Sequence, residues 1–169
     1  MKPQEYAARS TQPEERIALR TTTTRQYLDT QVDVKLVLCA LWIAMLFVFA
    51  YVDIFASLRA DVLKAALDGK VATTGFTVNQ VFLTLTVIYI LLPTLMVVLS
   101  LLLKPRVNRI INIVVSAFYI ITIIGSAIGE TWVYYFLGSA IEVTLLVAIV
   151  RTAWKWPPPQ IAPSLIAAG

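Results

Sequence analysis

Two acidic residues, Glu142 and Asp53, interrupt long apolar runs of the chain. An acid at mid-membrane costs ~2.5–3.5 kcal/mol even on a permissive insertion scale, so such residues point to function or to internal pairing. Glu142 lies nine residues before Arg151, or about 13 Å along a helix. The sequence puts no basic residue at that depth, and an unpaired buried acid favours its neutral form. We therefore expect Glu142 to be a structural latch, a proton or substrate site, or an acid that the bundle tolerates without a role.

Polar residues of the neighbouring runs reach a similar depth. Counted from the basic residues that end their runs, Tyr119 and Thr94 lie nearly level with Glu142. Pro93 removes a backbone donor, which leaves the carbonyl of Tyr89 without its intrahelical partner. The sequence therefore predicts an intramembrane polar centre built from Glu142, Tyr119, Ser116, Tyr89 and Thr94.

Asp53 lies close to the outer end of the first apolar run, where headgroups or water lower the cost of its charge. One interpretation is a local ion pair with Arg59 that fixes the start of the following loop. The other is ligand capture at an outer vestibule formed by Asp53 and Arg59. We interpret Glu130, in the last outer turn, as a solvated charge.

The composition disfavours several classes of protein. The chain has no His and a single Cys, which removes the usual ligands of haem, zinc and copper, so we expect no metal and no cofactor. Its net charge of +4 comes mostly from Lys and Arg beside apolar runs, where they anchor helix ends, so we expect no nucleic-acid partner. Without a Gly-rich phosphate loop or two acids at one depth, a membrane enzyme acting on a lipid or quinone is disfavoured.

The elements that position these residues are four apolar runs. Each approaches or exceeds the ~20 residues that a helix needs to cross ~30 Å of hydrocarbon. Helices are expected because an isolated strand in lipid would leave its backbone groups unpaired. The sequence predicts an all-α membrane protein, a four-transmembrane-helix bundle over residues 34–156 with spans at about 36–56, 78–103, 110–128 and 132–150.

The flanking segments set the orientation. Eleven Lys and Arg lie on one side of the predicted spans and three on the other. The positive-inside rule therefore places both the N and the C terminus in the cytoplasm, with a lipid bilayer as the surrounding solvent. Residues 1–33 are polar and predict a flexible tail, and residues 157–169 form a Pro-rich C-terminal tail.

The first outer loop, residues 57–77, begins with a helical period. Its apolar residues fall on one face, its charged residues fall on the opposite face, and Gly69 can end a helix there. We expect a short amphipathic helix in this loop, either as a plain connector or as a lid over the bundle.

Three short motifs carry a resemblance to a known family. They are Leu41-Trp42 followed by Tyr51 to Phe55, Pro105 to Arg109 with Asn112, and Tyr135 to Gly138 with Glu142 and Ala153 to Pro157. Over residues 33–157 the chain resembles small four-helix bacterial membrane proteins, often actinobacterial, that form a domain of unknown function. The resemblance implies a four-helix fold and a bacterial plasma membrane, but no activity. The layout is also broadly similar to that of DoxX-like proteins.

Two functions from different classes follow. The first is small-molecule, ion or proton-linked transport or binding around Glu142. Because four short helices enclose little volume, a conducting form would need a homo-oligomer. The second is a non-catalytic accessory or assembly subunit of a larger membrane complex.

Overall fold

The computed structural model describes residues 32–72 and 74–156. Over these residues the chain is helical, with α1 at Val34–Ser57, α2 at Ala60–Leu67, α3 at Gln80–Leu102, α4 at Pro105–Ser126 and α5 at Val133–Trp154. Apart from an isolated bridge between Lys70 and Thr77, the described part of the chain contains no β-structure. The predicted N-terminal tail, up to residue 31, and the predicted C-terminal tail lie outside the described residues.

Four of these helices, α1, α3, α4 and α5, are long and apolar enough to cross a membrane. The start of α4 and the end of α5 extend past the predicted spans into polar flanks, whereas α3 is slightly shorter than its predicted span at both ends. The helix predicted from residue 110 begins at Pro105, because proline fits the first helical turn, where its missing N–H is not needed. The last helix continues to Trp154 rather than ending at Val150. Hydropathy therefore finds the apolar part of each helix and misses the turns that reach past it.

The helix ends use side-chain caps where the sequence offers them. Asp33 accepts a hydrogen bond from the backbone N–H of Lys35 (2.7 Å) at the start of α1, and Asn79 accepts one from Phe82 (2.9 Å) at the start of α3. The short α2 lies where the amphipathic pattern predicts a helix. It is followed by Gly69, whose φ of 69° suits a helix C-terminus.

The long helices pack around one buried core. Helix α1 packs against both α3 and α5, α5 packs against α4, and α3 meets α4 along a smaller contact. In α1 the buried residues Leu38, Trp42 and Met45 recur at spacings of four and three, which puts them on one helical face. Gly138 of α5 packs closely against Val52. The close approach depends on glycine, because a side chain at position 138 would collide with the Val52 methyl group.

Candidate functional site

A cavity of about 310 Å³ lies between the four long helices. It occupies the half of the bundle next to α2, which we call the α2 end; the opposite half, next to the Lys104–Pro105 turn, is the basic end. All four long helices contribute to its wall, and the wall mixes carboxyl, hydroxyl and aromatic groups. The lining residues are Phe49, Val52, Asp53, Tyr89, Thr122, Ile123, Ser126, Tyr135, Ser139 and Glu142.

The two acids of the apolar runs line this same cavity. The sequence predicts two separate sites for them, because they lie at different depths. The cavity is tall enough to include both acids. Its wall on α5 extends from Tyr135 to Glu142, about 10 Å along the helix, so residues at different depths line the same cavity. Asp53 is exposed and Glu142 is only 3% exposed, so the cavity leads from an accessible carboxyl group to an enclosed one.

Glu142 has an incomplete set of contacts. Its Oε1 atom is buried and has no hydrogen-bond partner among the described residues. Buried polar atoms in folded proteins are nearly always paired, so an unpaired one next to open space is a marker of a ligand or proton site. Among the residues of the predicted polar centre, Glu142 is the one that is buried, has an oxygen without a hydrogen-bond partner among the described residues and lines the cavity.

The predicted role of Pro93 has a structural counterpart. The Tyr119 hydroxyl donates to the carbonyl of Tyr89, the acceptor that Pro93 deprives of its intrahelical donor. The Tyr89 hydroxyl pairs with that of Thr122 (2.8 Å), and the Tyr89 and Tyr119 rings lie 4.8 Å apart between centroids. Tyr119 itself is buried and does not line the cavity, so it supports the wall from behind.

Besides Tyr119, two further members of the predicted polar centre do not line the cavity with Glu142. Thr94 is exposed and donates to the carbonyl of Ile90 one turn back on its own helix (2.9 Å). Its depth matches that of Glu142, but it is turned away from the bundle, because its neighbour Pro93 occupies the buried face. Ser116 is fully buried, its hydroxyl has no partner among the described residues, and it is not part of the cavity wall.

Several lining residues were missing from the predicted centre. The Tyr135 hydroxyl donates to Ser126 Oγ (2.9 Å), which joins α5 to α4 across the cavity wall. Tyr135, Ser139 and Glu142 recur at spacings of four and three, which places them on one helical face. Phe49 and Thr122 carry no comparable signal.

Arg59 does not form the predicted ion pair with Asp53, and it is not among the residues that line the cavity with Asp53. Its guanidinium group contacts Asp61 (2.6 Å) and Glu130 (2.9 Å) instead. The reason is that α1 ends at Ser57 and Arg59 lies in the extended backbone before α2, which directs it toward the turn between α4 and α5. The side chains of Arg59 and Glu130 are 9% and 5% exposed, so Glu130 is not the solvated charge that the sequence suggested.

The ion pairs shift the titration of these groups. The hydrogen bond with Asp61 raises the pKa of Arg59, and the same bond lowers the pKa of Asp61. For Glu130, burial raises the pKa, but hydrogen bonds from Arg59 and from the backbone of Thr131 and Trp132 outweigh burial and hold the pKa below its ordinary value. All three groups are therefore charged at neutral pH.

A second polar cluster lies at the basic end of the bundle, and we call it the asparagine network. Asn112 Oδ1 accepts from Trp42 Nε1 (2.7 Å) and from Ser100 Oγ (3.4 Å), while its amide nitrogen donates to Asn108 Oδ1 (2.7 Å). Asn108 in turn donates to the carbonyl of Ser100 (2.6 Å). All four residues are fully buried, so the network joins α1, α3 and α4 and leaves no space for a ligand.

No metal site is formed by the described residues, since no group of three or more His, Cys, Asp or Glu side chains comes together there. The cavity has two carboxyl groups, which is fewer protein ligands than Ca²⁺ or a structural zinc site uses.

The Tyr119–Tyr89 hydrogen bond predicts a specific coupling with Pro93. Tyr119→Phe should lower the free energy of unfolding by about 1 kcal/mol, because the Tyr89 carbonyl loses its donor. In a Pro93→Ala background the cost should nearly vanish, since the introduced alanine can supply the intrahelical N–H. Unfolding in mixed micelles, followed by circular dichroism over the four-protein cycle, measures the coupling; equal costs in both backgrounds would contradict this arrangement.

The fold and site define a class of protein: a bundle of four apolar helices, each long enough to span a membrane, around a cavity with two acids. The chain belongs to DUF6326, a family of unknown function, whose family model matches residues 26–162. This agrees with the resemblance to a domain of unknown function and covers nearly the same residues. Comparisons with curated proteins and with solved structures gave no match.

Proposed function

We propose that this protein crosses a plasma membrane four times and binds a small molecule or ion in the cavity, with proton exchange at Glu142. The observation that carries the proposal is the buried, unpartnered Oε1 atom of Glu142 next to about 310 Å³ of open space. A carboxyl group in an apolar bundle holds a proton more readily than one in water, and an adjacent cavity gives that proton a route.

The charge distribution supports an orientation with both termini in the cytoplasm. The turn from Lys104 to Arg109 and the end of α5 carry basic residues at the basic end. The Arg109 guanidinium group lies 5.3 Å from the centroid of the Trp154 ring, as expected of an interfacial anchor. The cavity, at the α2 end, would then open toward the outer leaflet.

The described contacts support a cavity built for exchange at one group. Its tyrosine hydroxyls are engaged: Tyr89 with Thr122, and Tyr135 with Ser126. Their bonds hold the wall in place from α3, α4 and α5. Glu142 is left as the buried acid with a free oxygen, so a ligand or proton entering past Asp53 meets Glu142 as its acceptor.

Proton uptake into proteoliposomes tests the proposal. The full chain is reconstituted with a pH-sensitive dye inside, and a potassium gradient with valinomycin drives proton entry. We expect uptake above that of protein-free vesicles, loss of most of it with Glu142→Gln, and no change with Asp68→Asn, an exposed acid away from the cavity. Uptake that Glu142→Gln leaves unchanged, or no uptake above protein-free vesicles, would overturn the proposal.

A further inference from the structure

We infer that the ligand of this cavity is an organic cation, a protonated or quaternary amine that carries an apolar group. The inference rests on the proposed binding function and names its ligand class. It starts from charge: Asp53 and Glu142 line the cavity, and no Lys or Arg is among the described residues of its wall. A cation placed there is attracted by both carboxylates and repelled by no neighbouring cation.

The aromatic part of the wall favours an amine over an anion or a neutral polar ligand. Phe49, Tyr89 and Tyr135 line the cavity from α1, α3 and α5. Aromatic faces attract ammonium groups, with a gain of about 2 kcal/mol or more where the site is desolvated, and quaternary ammonium recognition commonly uses such rings. The same rings, with Val52 and Ile123, offer apolar surface to the hydrocarbon part of the ligand.

Size favours an organic cation over a metal ion. A volume of about 310 Å³ lies at the lower end of the ~300–1,000 Å³ range of small-molecule pockets. A bare Ca²⁺ needs about six to eight oxygen ligands at short range, and Mg²⁺ needs near-octahedral geometry. Two carboxyl groups on different helices of a roomy cavity do not supply such a shell.

Cation binding and proton release are coupled at this site. A neutral Glu142 gives its proton to solvent when the cation binds, and the ionised carboxylate then pairs with the ammonium group; no other covalent bond forms or breaks. The other titratable groups that face the cavity are Asp53 on α1, Tyr89 on α3 and Tyr135 on α5, while α4 adds Tyr119 behind Tyr89. The tyrosines keep their protons near neutral pH, so the exchangeable proton belongs to a carboxyl group.

Calorimetry with the full chain in lipid nanodiscs tests the inference, with benzyltrimethylammonium as the probe. Benzyl alcohol serves as the neutral control and Na⁺ as the inorganic cation. We expect benzyltrimethylammonium alone to bind, with an affinity that rises by up to about tenfold per pH unit where one proton is released. Binding of benzyl alcohol with similar affinity, or binding of Na⁺ with none of the amine, would overturn the inference.

Substitutions of the acidic residues test whether the amine binds in this cavity. Glu142→Gln should weaken binding at least about tenfold, the loss of a charge-assisted contact of about 1.4 kcal/mol, and remove its pH dependence. Asp53→Asn should weaken it less, because Asp53 is the more exposed residue of the two acids, and Asp68→Asn should not change it. Unchanged affinity in Glu142→Gln would overturn the inference.

A measurement on the unaltered chain covers the case in which Glu142→Gln does not fold. Dicyclohexylcarbodiimide modifies protonated carboxyl groups in apolar surroundings, and mass spectrometry reports the modified fraction at Glu142. Benzyltrimethylammonium should slow this modification and benzyl alcohol should not; equal rates would overturn the inference. Amine binding without proton uptake would refute the proton-linked function alone, and proton uptake without amine binding would refute the ligand class alone.

Discussion

Replacing Arg59 with Met is expected to lower the free energy of unfolding by about 3 kcal/mol, the lower end of the cost of removing one partner of a buried ion pair. Glu130, whose side chain is 5% exposed, would lose its charged partner and keep only the backbone donors of Thr131 and Trp132. Arg59 also lies over the Trp132 ring at 4.8 Å, a contact that Met keeps only as apolar packing. The two loops at the α2 end would therefore separate.

The control is Asp61→Asn, which removes the other carboxylate partner of Arg59. The Asp61 side chain is 52% exposed, so solvent screens its charge and its loss should change stability far less than that of Arg59. The double variant Arg59→Met with Glu130→Met should recover most of the loss, because it leaves no buried charge unpaired. Reversible unfolding in mixed micelles measures all three; a cost of Arg59→Met no larger than that of Asp61→Asn would show that the buried pair contributes little.

The same ion pair has a pH signature. The pKa of folded Glu130 lies below the ordinary value of 4.5, so its ionisation stabilises the fold fully above that value. The contribution is lost as pH falls through the lower folded pKa. The unaltered chain should therefore lose stability on acidification below about 4.5, and Arg59→Met should lose less over that window. An equal loss in both proteins would assign the acid sensitivity to other carboxyl groups.

The helical architecture was predictable because it depends on local information. Each apolar run is long enough to form a spanning helix, and the period after residue 57 is enough to predict α2. The limits of α4 and α5 were less predictable. Polar first and last turns, such as the one that starts at Pro105, do not raise the mean hydropathy of a run. They nevertheless extend the helix through its backbone hydrogen bonds.

The sequence predicts how deep in the bundle each site residue lies, but not which side of its helix faces the cavity. The donor missing at Pro93 pointed to Tyr89, and counting residues along each helix placed Tyr119 level with Glu142; of these, Tyr89 and Glu142 line the cavity. The same count placed Thr94 there, although it faces away, because depth does not determine which side of a helix meets the bundle. The helical period places Tyr135 and Ser139 on the face of Glu142, but it does not show that this face lines a cavity.

Pairing across loops was not predictable from one sequence. Arg59 and Glu130 are 71 residues apart, whereas Asp53 lies in the apolar run just before Arg59. Proximity along the chain favoured the wrong partner because the backbone leaves the helical path after Ser57. A contact between two loops depends on how α1, α4 and α5 pack, which no local pattern records.

The asparagine network is the other place where one substitution should have a large effect. Asn112→Leu should lower the free energy of unfolding by about 2 kcal/mol, because three fully buried groups lose a hydrogen-bond partner: the Trp42 indole N–H, the Ser100 hydroxyl and the Asn108 carboxamide oxygen. Each unpaired buried group costs about 1–3 kcal/mol, and the lower values apply where the unfolded chain finds other partners in a lipid environment. Leu is close to Asn in size, so the loss reports polar contacts more than a cavity.

Ser116→Ala is the matched control, one turn further along the same buried face of α4. The Ser116 hydroxyl is buried without a partner among the described residues, so removing it should leave stability unchanged or raise it slightly. Unfolding of both variants in mixed micelles, with indole fluorescence as a second readout, separates the two effects. Equal destabilisation would mean that α4 tolerates no change on this face. A neutral Asn112→Leu would mean that apolar packing, not the hydrogen bonds of Asn112, joins α1 to α4 at the basic end.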